Sequence, residues 1–267
     1  MFKHVISVLF LYFFTSSQAF SEHNWNNYHW ARTANPFNLK VIDSMTSSWE
    51  GELVESLSRW SHSVVLNLSV DTFDDNQRTR KRCRMVKGQM RLCNATYGFN
   101  GWLGLATIGL DANGHIDRGT AKMNDSYSSY WAIPGEKNHV VCQEIGHVLG
   151  LDHTSEDGTS QQTCMDYSTD PNSQWPNQHD YEELAKLYQH LDLYNSYQHE
   201  GETTNEGSSC NAPAGKGCNK QGNNNLDHDI PPMGIRVHKG RSHELWVAPR
   251  RDGGLWVHHI RLAPEGH

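Results

Sequence analysis

The sequence predicts an α+β fold, and three observations predict it. Runs with strand-like alternation or β-branched content recur at 39–43, 64–70, 102–110 and 115–123. Stretches with apolar residues at helical spacing stand among them, at roughly 46–60 and 178–193. A further helical stripe, Val141, Ile145, Val148 and Leu149, ends at a glycine and carries polar residues on another face.

In chain order, 39–43 reads as the first strand. Trp49, Leu53, Leu57 and Trp60 repeat every three or four residues and give the following helix its buried side. The second strand is 64–70. Residues 84–90 are expected to pair with those after them as a hairpin closed by Cys83 and Cys93. The apolar run 102–110 is followed by Asp111-Ala-Asn-Gly, turn chemistry that leads into 115–123. A calcium loop fails there, because Ile116 and Lys122 stand where the glycine and the bidentate glutamate are needed. Pro176 and Asn177 introduce the last helix of the main domain, with Tyr181, Leu184, Leu187, Tyr188 and Leu191 on its apolar side.

Residues 143–153 read Gln-Glu-Ile-Gly-His-Val-Leu-Gly-Leu-Asp-His. On a helix, positions four apart share a face, so Gln143 and His147 can reach one ion. Glu144 projects beside that ion, where a carboxylate can take a proton from water. Gly150 permits the left-handed turn that ends the helix and returns the chain with His153. This pattern resembles the signature H-E-x-x-H-x-x-G-x-x-H of the metzincin zinc peptidases, in particular their matrixin-like members, with Gln143 in place of the first histidine. Cys164-Met165-Asp166-Tyr167 resembles the family's methionine turn.

The resemblance implies a zincin domain with a twisted mixed sheet, an active-site helix, the turn at Met165 and a C-terminal helix. It implies Zn2+ held by Gln143, His147 and His153, with Glu144 as general base on a zinc-bound water and Tyr167 as a stabiliser of the oxyanion. Gln143 would offer a carbonyl oxygen, a harder donor than imidazole. The resemblance also implies an edge strand that receives an extended peptide; Gly104, Leu105 and Ala106 are the residues assigned to it. The reading that follows is a secreted zinc metalloendopeptidase acting on peptide or protein substrates. The alternative is a secreted binding protein on a catalytically dead peptidase scaffold.

Residues 1–19 read as a signal peptide, with Lys3 and His4 before the apolar run 5–14 and small residues Ser17 and Ala19 near the cleavage point. Residues 20–200 form the expected peptidase-like domain and 201–228 a Gly/Asn/Ser-rich linker. Residues 229–267 form a short C-terminal β segment whose strands at 243–247 and 255–262 flank Arg251-Asp252-Gly253-Gly254. That segment is too small for a core of its own, so it must dock on the main domain, bind a partner or associate with another copy. Six cysteines suit an extracellular chain. About fifteen pairings are possible; proximity favours Cys83–Cys93 and Cys210–Cys218, which leaves Cys142–Cys164 to tie the active-site helix to the methionine turn. A net charge of −7 without a clustered basic face argues against nucleic acid, and no apolar run is long enough for a membrane span. Among the 17 histidines, His23, His29, His238 and His267 read as scattered residues with no metal role.

Overall fold

The computed structural model describes residues 22–197 and 230–264. The expected signal peptide, the linker, the Cys210–Cys218 pair and His267 lie outside them. The elements are β1 (Phe37–Ser44), α1 (Glu50–Trp60), β2 (Leu66–Phe73), α2 (Gln77–Arg82), β3 (Met90–Ala95), β4 (Trp102–Leu110) and β5 (Ile116–Asn124). They continue with α3 (Glu136–Val148), α4 (Gln178–Leu187), β6 (Ile235–Lys239), β7 (His243–Pro249) and β8 (Leu255–Leu262). The strands form one mixed sheet in the order β2-β1-β3-β5-β4-β8-β7-β6. The first half pairs in parallel, and from β5 onward every pairing is antiparallel. The fold is therefore α+β, as expected.

Helix α3 is the spine of the core and packs on β4, β5 and α1. Two glycines let it approach the sheet. A Cβ on Gly119 would meet Val148 Cγ1 at 2.4 Å, and one on Gly104 would meet Glu144 Oε1 at 2.2 Å. On the opposite side, Gly146 leaves room for Met165 Sδ and the Trp60 ring. Trp60 also donates its indole N–H to the Cys142 carbonyl at 3.0 Å, which joins α1 to α3.

Three local expectations are corrected. Residues 84–90 form no hairpin strand; the chain instead makes α2, with Asn76 capping it through Thr79 N–H. Its successor β3 lies between β1 and β5 and is buried throughout. Cys83 does bond to Cys93, but from the left-handed residue that ends α2. The last helix stops at Leu187 rather than 193. There Arg32 draws the chain away: its guanidinium donates to the carbonyls of Tyr188 and His190, and its own carbonyl accepts from Asp192 N–H. Finally, β6 was not foreseen: Ile235 and Val237 alternate with Arg236 and His238, but the run is only five residues and exposed throughout.

The C-terminal strands dock by extending the sheet, with β8 along β4 from Trp102 to Leu110. Here again glycine makes the space. A Cβ on Gly109 would collide with the Trp256 ring at 2.5 Å, and one on Gly254 with the Leu110 carbonyl at 1.9 Å. Trp256 is buried, with the Arg250 guanidinium 4.7 Å above its ring. Arg250 in turn pairs with Asp117 at 2.8 Å. Burial would raise the Asp117 carboxyl, but Arg250 and Arg118 hold it below its ordinary value. Among the described residues no helix is long and apolar enough to cross a membrane.

Gly150 ends the metal-motif helix with φ +100°, and a Cβ there would lie 2.1 Å from the Tyr28 carbonyl oxygen. Gly150→Ala should therefore cost roughly 1–3 kcal/mol. Thermal denaturation should show a Tm lowered by about 2–4 °C for each kcal/mol; an unchanged Tm would mean that the turn is not constrained by Tyr28.

Candidate active site

The end of α3 brings the expected residues together. Leu151 N–H returns to the Gly146 carbonyl at 3.0 Å, so the chain folds back beneath the helix. Thr154 N–H then donates to the Met165 carbonyl at 2.9 Å. Cys142–Cys164 locks the same two segments together, as expected. Asp166 fixes the turn from inside: its carboxylate accepts from Gln161 N–H, Ser168 N–H and the Ser173 hydroxyl. Met165 is buried under Gly146, and so forms the apolar floor of the site.

His147 and His153 meet at this floor, with their Nε2 atoms 3.1 Å apart. His147 Nδ1 donates to the Leu151 carbonyl at 2.9 Å, which leaves Nε2 as its lone pair. Burial brings the His147 pKa down to about 3, so the ring is neutral. His153 is likewise pushed well below its ordinary value by burial. Two neutral imidazoles aimed at one point are a metal-binding arrangement.

Gln143, expected as the first ligand, directs its amide elsewhere. Its Nε2 donates to the Asp166 carbonyl at 3.0 Å, and its Oε1 accepts from Arg261 Nη1 at 2.6 Å. Arg261 has donors only, so it fixes which end of the amide faces it. Arg261 is fully buried yet stays charged, through Tyr130, Glu136 and Tyr167. The carbonyl that was to face a metal is thus held by a cation.

A residue not foreseen from the sequence stands beside the His147–His153 pair. His259, on β8, offers a ring nitrogen within 4.8 Å of those of His147 and His153. Its ring centroid lies 3.9 Å from that of His147 and 4.6 Å from that of His153. The three residues are buried together, and His259 Nδ1 has no hydrogen-bond partner. The donor set fits zinc: three neutral imidazoles, borderline ligands that suit a borderline ion.

Tyr167 stands at the rim of this cluster, with its hydroxyl 3.3 Å from His259 Nε2 and its ring centroid 4.3 Å from that of His153. Glu144 lies on the sheet side, against β4 at Gly104. It is completely buried, and neither carboxylate oxygen has a well-formed hydrogen bond. Burial pushes its pKa up to about 8, against the opposing pull of Arg261 and the Ala106 amide.

Gly104, Leu105 and Ala106, expected as a peptide-receiving edge, are not an edge in this chain. They pair antiparallel with Arg261, Ile260 and His259 respectively. The chain's own C-terminal strand lies where an extended ligand was expected. A signal for this was present in the sequence: on a strand, His259 and Arg261 share one face with Leu255 and Val257, and polar residues continue an otherwise apolar side.

No protein-family model matches the chain, and no curated protein is similar to it. Among solved structures it is similar to high choriolytic enzyme 1, a hatching-enzyme zinc-protease from the medaka fish Oryzias latipes. That likeness has 10% identity and a TM-score of 0.33, over 60% of this chain and 94% of that one. It is also similar to archaemetzincin from Archaeoglobus fulgidus, complexed with malonate, with 17% identity and a TM-score of 0.30, over 55% of this chain and 99% of that one. Likeness at that level transfers no activity, and the chemistry must come from the side chains.

With His259 as the third imidazole, His259→Ala should weaken zinc binding by at least about tenfold, since even outer-shell changes cost that much. Competition with a chromogenic chelator would measure it, and unchanged affinity would show that His259 stays off the metal.

Proposed function

We infer that this chain is a secreted, zinc-dependent endopeptidase of the metzincin kind whose C-terminal strand closes its own cleft. The observation that carries the reading is Glu144. Its buried carboxyl is held only weakly, by the Ala106 amide and the field of Arg261, which costs the fold stability and gives it little structural return. Beside a cluster of imidazoles, a carboxyl that burial holds protonated becomes a proton acceptor once the cleft opens and lets it ionise.

In the closed form, His147, His153 and His259 would hold zinc. Zinc supplies Lewis acidity, which polarises a carbonyl and acidifies water. The two inward side chains of β8 act together, since residues 259 and 261 lie on one face of the strand. When β8 leaves, His259 departs from the imidazole cluster and Arg261 releases the Gln143 carbonyl. Gln143, His147 and His153 then form the ligand set of the open form, and the β4 edge at Gly104, Leu105 and Ala106 becomes free to pair with a peptide. Glu144 takes a proton from the attacking water and passes it to the leaving amine. Tyr167, freed from His259, donates its hydroxyl to the developing oxyanion.

The alternative, a binding protein on an inactive scaffold, is favoured by the depth of docking of β8. Trp256 of that strand is buried, and Arg250 in the turn before it pairs with Asp117 of β5. In that case the site stays shut and the exposed face of β6, with Ile235 and Val237, serves a partner.

A chain ended at residue 229, compared with the intact one, separates the two readings. The latent peptidase predicts that the shortened chain binds zinc and cleaves a peptide library, while the intact chain cleaves little. Glu144→Ala in the shortened chain should lower kcat/KM by about 10²–10⁴-fold, the usual worth of a general base. A shortened chain that folds and binds zinc but cleaves nothing would favour the binding protein.

A further inference from the structure

Between residues 76 and 91 the chain carries seven lysines and arginines and no acid. The overall charge of −7 hides this run, and the expectation of no clustered basic face is corrected by the way α2 and its flanks gather it. Arg78 and Arg82 stand four apart and share one side of α2. There, with Arg84 and Arg91, they line a cavity of about 200 Å³, four guanidiniums against the single carboxylate of Asp74. On the adjoining side, Gln77, Arg80 and Lys81 line a second cavity of about 510 Å³, whose one acid is Asp125. That carboxylate already accepts from the Trp49 indole at 2.9 Å and from Asn94 Nδ2 at 2.6 Å. Helix α2 is thus a basic ridge with a hollow on either side.

The ridge is held from beneath. Arg80 donates to the Asp75 carbonyl at 2.8 Å and to the Asn94 carbonyl at 2.9 Å. Tyr97 gives its hydroxyl proton to the Arg80 carbonyl at 2.9 Å. Cys83–Cys93 fastens the end of α2 to β3, and Arg91 is buried and pairs with Asp74 at 3.5 Å. Arg78, Lys81 and Arg82 differ from these. They are exposed, and among the described residues no ion pair joins them to a carboxylate. Like charges four apart on a helix repel, so the spacing of Arg78 and Arg82 works against the helix that carries them.

Guanidinium forks match the oxygens of sulfate and phosphate groups two at a time. A rigid row of such cations fits a chain of repeated anions. Two observations select the chain. No aromatic ring lines either cavity, so bases would find no platform to stack on. The disulfide at the end of the ridge belongs to an oxidising compartment, where sulfated polysaccharides are abundant polyanions.

We propose that α2 and its flanks, through Arg78, Lys81, Arg82 and Arg84, bind a sulfated glycosaminoglycan. The hollows beside the helix receive sulfate groups, and the rise of about 6 Å from Arg78 to Arg82 sets their spacing. Such a surface tethers the protein to polysaccharide. It shares no residue with the imidazole cluster, and the proposal does not depend on the zinc reading of His147, His153 and His259.

The test uses the full chain and a heparin dodecasaccharide, with binding read by calorimetry at neutral pH and about 0.15 M salt. The expected result is an affinity that falls several-fold when the salt is doubled, because each neutralised anion releases a counterion. Arg78→Ala/Lys81→Ala/Arg82→Ala should weaken it by about tenfold or more. The Tm should hold or rise, since the three side chains are exposed. Should that variant not fold, Arg82→Ala alone should weaken binding by about threefold. Hyaluronan, which carries carboxylates and no sulfate, and single-stranded DNA of matched charge should both bind more weakly than heparin. No detectable heparin binding, or binding untouched by the substitutions, overturns the proposal. Hyaluronan bound as tightly as heparin overturns the sulfate claim, and DNA bound more tightly assigns the surface to nucleic acid instead.

Discussion

The hydrogen bond from Arg261 to the Gln143 carbonyl is the constraint on which the candidate active site depends. It fastens β8 to α3 at the one position where the metal motif departs from its expected form. Because side chains alternate along a strand, the register that gives Gln143 its partner also turns His259 toward His147 and His153. A slip of one residue would present Ile260 and Leu262 to a polar pocket and remove both interactions at once. The glutamine and the C-terminal strand therefore belong to one solution. The Gln143 amide keeps both ends satisfied, and an imidazole from about a hundred residues away in sequence lies beside His147 and His153.

The same economy of space runs through the fold. Gly104 and Gly119 allow α3 onto the sheet, Gly146 admits Met165, and Gly109 and Gly254 admit β8. Gly104 in particular seats Glu144 against the strand that would otherwise receive a peptide. A closed site of this kind buries charge with little water to relax it, so Glu144 is raised while His147 and His153 are lowered, both chiefly by burial. Glu144, His147 and His153 are thereby shifted toward their neutral forms.

Much of this was legible in the sequence where the signal is local. Helical spacing placed Gln143 and His147 on one face, the glycine at 150 gave the turn, and Cys142 on the helix pairs with Cys164 of the segment carrying Met165. Alternation and turn chemistry placed β1, β2, β4, β5, β7 and β8 within a few residues. What stayed hidden depends on contacts remote in sequence. Arg32 ends α4 early and leaves Leu191 and Leu193 exposed, although their spacing fits a longer helix. The burial of β3 comes from its two parallel neighbours, not from its own pattern. His259 and Arg261 sit in an ordinary strand, and only the pairing of β8 with β4 gives them a role.

The central claim is that the C-terminal strand supplies the third imidazole and occupies the cleft. Anomalous scattering at the zinc absorption edge, from crystals of the full chain, tests it most directly. The account predicts a zinc peak bounded by His147, His153 and His259, with Gln143 still bonded to Arg261. A zinc ion held by Gln143 with His259 turned away, or no zinc between these histidines, would contradict it.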